Sequence, residues 1–72
     1  MADAEALKAE VKKLSAQAMQ AKMDLHDLSE ELPVGVEKVP QVAQRVVAAY
    51  AALAERKAAL QALAETAAGT AA

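Results

Sequence analysis

Apolar side chains stand at Ala4, Leu7, Val11, Leu14, Ala18, Ala21, Leu25, Leu28 and Leu32, in steps that alternate three and four. This strict a/d heptad keeps one seam of a helix turned toward a partner helix. Neither glycine nor proline interrupts it, so the pattern predicts a helix over residues 3–32. The next residues, Leu32-Pro33-Val34-Gly35-Val36-Glu37-Lys38-Val39-Pro40, hold both prolines and one of the two glycines. Pro33 turns its predecessor away from helical geometry, and Gly35 is free to take positive φ. Residues 33–39 therefore read as a turn, which the valines at 34, 36 and 39 predict to be packed. Pro40 suits the first turn of a second helix, where its missing N–H costs nothing.

That second helix is expected over residues 40–67. Val39, Val46, Leu53, Leu60 and Ala67 repeat every seven residues, with Ala43, Tyr50, Lys57 and Ala64 beside them. Tyr50 reads as a seam residue packed in the core. Lys57 interrupts the seam, and its ammonium is expected to reach Glu10 on helix one. Residues 68–72 read as a frayed tail. Two helices of about 42 Å each, joined by a short turn, make an antiparallel hairpin that forms a single unit over 1–72.

Length decides what completes such a hairpin. A core in a chain of this size rarely supplies more than about 3–5 kcal/mol, so small chains recruit disulfides, metals or partners. With no cysteine among 72 residues, disulfides and thiolate sites are excluded. The fold expected is all-α: hairpins that self-associate into a four-helix-bundle-like oligomer through Leu7, Val11, Leu14, Ala18, Ala21, Leu25, Leu28, Val46, Tyr50, Leu53 and Leu60.

Composition narrows the chemistry. Alanine supplies 21 residues, and there is no phenylalanine or tryptophan. That favours helix and leaves few anchors for a small-molecule pocket. The net charge of −2 gives no bulk attraction for nucleic acid or anionic membrane. No apolar run approaches a membrane span, and the N-terminus lacks a basic-then-apolar signal, so the cytoplasm is the expected address. No phosphate loop or nucleophile–base pair is present, so neither catalytic residues nor a cofactor are expected.

Residues 24–37 hold Asp24, Asp27, Glu30, Glu31 and Glu37 with no lysine or arginine. The turn end of the hairpin is thus acidic and would attract a basic partner surface. Met23, Asp24, His26, Asp27, Glu30 and Glu31 are the candidate partner-binding residues. His26 and Glu30, four apart on one helix face, could also hold a divalent metal. An acidic helix yields such pairs readily, so a solvated or docking surface is the first reading.

The run KMDLHDLSEELP at 22–33, VPQVAQ at 39–44, Tyr50, and the leucines Leu53, Leu60 and Leu63 resemble a family of small Rop-like, NifX-associated proteins encoded among nitrogen-fixation genes. The resemblance covers roughly residues 4–64. It implies a self-associating hairpin and a non-enzymatic accessory role, with a nitrogenase component or a nitrogenase cofactor-assembly protein as partner, and it carries over no catalytic residue. Two other roles compete: metal delivery through His26, or RNA binding as in Rop itself. Against the RNA role stand the negative charge and the missing phenylalanine, and architecture alone does not transfer function.

Overall fold

The computed structural model describes residues 2–71, with side chains from 4 to 65. Helix α1 spans Ala2–Glu31, a single 3-10 turn follows at Val36–Lys38, and helix α2 spans Val39–Ala71. The two helices pack antiparallel as a rod of 57 × 16 × 14 Å. Among the described residues no helix is long and apolar enough to cross a membrane.

Helix α1 stops one residue short of the expected boundary, because Pro33 disfavours helical geometry at Leu32. The Leu32–Pro33 peptide is cis, and Leu32 is exposed beyond the seam. Helix α2 starts at Val39, with Pro40 in its first turn, and continues past residue 67 to Ala71. Alanine-rich sequence outweighs Gly69 there, since one glycine costs only about 1 kcal/mol against alanine. The expected seam residue Ala67 lies outside the described side chains, and Ala72 lies outside the described residues altogether.

The turn closes through its own backbone. Val34 N–H donates to Glu31 O at 3.0 Å, Val36 N–H to Pro33 O at 3.3 Å, and Lys38 N–H to Gly35 O at 2.9 Å. Gly35 sits at φ 77°, ψ 15°, left-handed geometry that a Cβ opposes. The expected packing of the turn valines holds only for Val39, which is half-buried. Val34 and Val36 are 72% and 56% exposed, because they project past the last seam layer, where the hairpin has nothing to set against them.

The core is thin. Among the described residues Ala18, Ala21 and Leu53 are its buried apolar side chains, and no polar side chain is buried. A methyl group 1% exposed, as at Ala18, requires the facing helix to close over it. Leu7, Val11, Leu14, Leu25, Leu28, Val46 and Leu60 are all only half-buried. Tyr50, expected in the core, is 40% exposed. A ring that large cannot turn fully inward where the facing layer is built from alanines, so it stays at the seam's edge.

Gly35→Ala is expected to lower stability by about 1–2 kcal/mol, the cost of a left-handed non-glycine residue. A Cβ there would also meet Leu28 Cδ1 at 3.0 Å. Urea titration followed by circular dichroism measures the shift in midpoint.

Candidate interaction surface

Helical turns of about 100° per residue keep positions seven apart on one flank. On α1, Glu10, Gln17, Asp24 and Glu31 share one flank of the seam, while Lys8, Ser15 and Lys22 share the other. The ion pairs show which flank meets the arginines of α2. Arg56 Nε lies 2.5 Å from Glu10 Oε1, and Arg45 Nη2 lies 2.5 Å from Asp24 Oδ2. Both rungs join the helices on the same side.

Arg56, rather than the expected Lys57, therefore holds Glu10. The reason is angular: Lys57 is one residue further on and turns toward the opposite flank. There it lines an open groove with Lys8, Val11, Lys12, Met19 and Met23. Met19 is 56% exposed and Met23 50%.

Asp24 also accepts a 2.9 Å hydrogen bond from Gln20 Nε2. That bond, followed by the Arg45 guanidinium, holds its carboxyl below the ordinary value of 3.8. Of the candidate partner-binding residues, Asp24 is thus engaged in joining the two helices. Met23, His26 and Glu30 lie toward the groove side of α1 and Asp27 faces away from the seam, whereas Glu31 shares the flank of Glu10 and Asp24.

At the tip, His26 Nδ1 lies 3.7 Å from Asp27 Oδ1 and 3.7 Å from Glu30 Oε1. Both separations exceed hydrogen-bond length, so these groups are electrostatic neighbours. Ser29 Oγ donates to the His26 carbonyl at 2.7 Å, a bond within one helical turn. Ligand atoms of His26, Asp27 and Glu30 all fall within 4.8 Å of one another, and all three residues are exposed. Such a set can face a basic side chain, or share a divalent cation whose remaining ligands are water.

Two features were absent from the sequence reading. Arg45 was one, although Glu10, Gln17, Asp24 and Glu31, seven apart beside the seam, already signalled a flank seeking cations on α2. The other is the exposed apolar cap of Leu32, Val34 and Val36 beside the acidic residues, which the expectation of a packed turn concealed.

The family model of Rop-like proteins matches residues 2–65. This chain belongs to the Rop-like family. A UPF0437 protein of Azorhizobium caulinodans is 47% identical over 57 residues, or 79% of this chain and 83% of that protein. A UPF0437 protein of Trichormus variabilis is 42% identical over 59 residues, 82% of this chain and 69% of the relative. A third relative, from Frankia alni, is named a UPF0437 protein in the nifX-nifW intergenic region. It is 46% identical over 52 residues, covering 72% of this chain and 63% of the relative, so the chain spans under two thirds of it. No solved structure matches the Rop-like hairpin. The resemblance carried by residues 22–33 and 39–44 is therefore one of true family membership, with a relative beside nitrogen-fixation genes.

The Asp24 rung carries a signed pH dependence. A carboxyl whose pKa is depressed on folding contributes stability above the unfolded value, here 3.8, and loses it as pH falls through the lower folded value. Asp24→Asn is expected to flatten that part of the acid limb and leave the remaining carboxylates titrating. Thermal melts above and below 3.8, compared between the native chain and the variant, measure this.

Proposed function

We propose that this hairpin is a non-enzymatic accessory protein of nitrogen fixation, acting in the cytoplasm and pairing with further hairpins into a four-helix bundle. It docks a nitrogenase component or a nitrogenase cofactor-assembly protein through the acidic tip. The observation that carries this reading is the tip itself. His26, Asp27, Glu30 and Glu31 stand exposed beside Leu32, Val34 and Val36, which are exposed too. Carboxylates around an apolar knuckle suit a basic partner surface with an apolar anchor: the charge steers the encounter and the apolar contact supplies affinity. The Frankia alni relative's place between nifX and nifW supports the nitrogen-fixation setting.

Asp27→Lys with Glu31→Lys reverses two exposed charges at the tip that take part in neither the seam nor either arginine rung. In pull-downs from nitrogen-fixing cells, the native chain is expected to retain a nitrogenase component or assembly protein identified by mass spectrometry. The variant, with helicity matched by circular dichroism, is expected to retain roughly tenfold less, a difference of about 1.4 kcal/mol. Equal recovery with both baits overturns docking through the tip.

A second reading, metal delivery, is favoured by the 4.8 Å grouping of His26, Asp27 and Glu30. It requires calorimetric uptake of a divalent ion that His26→Ala abolishes, and no heat on titrating the native chain with zinc or manganese rejects it.

A further inference from the structure

The seam of α1 passes through Ala18, Ala21 and Leu25, and Met19 and Met23 stand off it. Helical spacing turns both methionines away from α2, so packing further helices on the seam leaves them at the surface. With Val11 at its inner edge, the pair floors a groove of about 550 Å³. That is the volume of a ligand pocket, yet the groove lies open along the helix and encloses nothing. Ala16 lines it between Lys12 and Met19, and its short side chain leaves a dip that a larger one can enter.

The rim carries a single sign of charge. Lys8, Lys12 and Lys57 gather at the end remote from the tip, and among the described residues no carboxylate lines the groove. No lysine takes part in the described ion pairs. The groove on the other flank differs in this respect. It runs past Gln17, Ala21, Asp24, Arg45 and Ala49, where the carboxylate and the guanidinium neutralise each other. The methionine groove therefore calls for an anionic occupant with an apolar face. A nucleic acid fits it poorly, because phosphates carry charge along the whole strand while the cations stand at one end. An extended peptide fits no better. The backbone of α1 is bonded within the helix and offers no ladder to a strand, whereas a helix arrives with its own backbone satisfied.

We infer that this groove docks an acidic amphipathic helix of a partner protein. From Lys8 to Met23 it runs about 22 Å, which takes about 15 residues, or four turns, of the incoming helix. Apolar side chains at i, i+4 and i+7 settle on Met23, on Met19 and into the dip at Ala16. Aspartates or glutamates at the other end of the same helix meet Lys8, Lys12 and Lys57. Flexible thioethers let the floor re-pack around whatever apolar side chains arrive. The site differs from the acidic tip in place and in sign, so one hairpin can hold a basic surface and an acidic helix at once.

Fluorescence anisotropy with labelled synthetic peptides tests this on the full chain. The probe is a helical peptide of about 15 residues, with leucines at i, i+4 and i+7 and glutamates beside them. Its control carries glutamine at every glutamate. The acidic peptide is expected to bind with a micromolar Kd and the control roughly tenfold more weakly. Lys8→Glu with Lys12→Glu is expected to weaken the acidic peptide roughly tenfold. Met19→Gln with Met23→Gln replaces exposed side chains by others of similar helix propensity, so melting stays as it is while the acidic peptide again weakens. No binding of the acidic peptide, equal binding of the two peptides, or an affinity indifferent to the methionine pair overturns the inference. A single-stranded RNA of mixed sequence that displaces the peptide and depends on the lysines alone identifies a phosphate-binding surface and overturns it as well. Asp27 and Glu31 do not line the groove, so each of these outcomes leaves docking through the tip standing.

Discussion

Everything in this molecule depends on two helices coming close enough to bury methyl groups. Ala18 and Ala21 are closed over by α2, and among the described residues Leu53 is the large side chain that the pairing buries, to 7% exposure. Alanine at the midpoint serves two ends, since it is the strongest helix former and its small volume permits close approach. Close approach in turn brings the flanking positions within reach of each other. Glu10 and Asp24 can meet Arg56 and Arg45 only because the seam between them is narrow. The same economy of volume leaves the larger seam residues half-covered, so a hairpin with an alanine middle has an unfinished surface.

The two flanks divide the labour. Arginine's planar fork matches a carboxylate well and holds an ion pair at the edge of a seam. Both arginines stand on one flank, and each is paired. Surface ion pairs of this kind add little net stability. Their greater effect is directional, because they fix the rotation of one helix against the other. The turn contributes a third surface of its own. With Gly35 in left-handed geometry the chain reverses within a few residues, and Val34 and Val36 are carried past the last packed layer. The exposed groups of this Rop-like hairpin thus gather on the flanks of the rod and at its tip.

The sequence made the helices, the antiparallel reversal and the seam legible because each rests on local or periodic signals. The heptad from Ala4 to Leu28 is half-buried or buried throughout, and Pro33, Gly35 and Pro40 fall at the reversal. What escaped depends on rotation of one helix against the other. Lys57 and Arg56 are adjacent in sequence, yet they face opposite flanks, so naming the partner of Glu10 requires a phase that spacing along α2 alone does not supply. Tyr50 repeats with the seam and still remains exposed, because whether a ring is covered depends on what the facing helix offers at that level. Asp24 belongs to an acidic run in sequence and to an interhelical rung in space. The tip valines look like packing residues when only their hydrophobicity is counted, and geometry places them outside.

The separation of arginines from lysines has a chemical consequence. Guanidinium groups resist acylating reagents at neutral pH, whereas primary amines on an open flank accept them readily. An acyl group added to Lys8, Lys12 or Lys57 would erase a positive charge along the groove, without loosening either rung that holds its helices together. The outward identity of this protein can thus be rewritten by covalent chemistry while its architecture stays as it is.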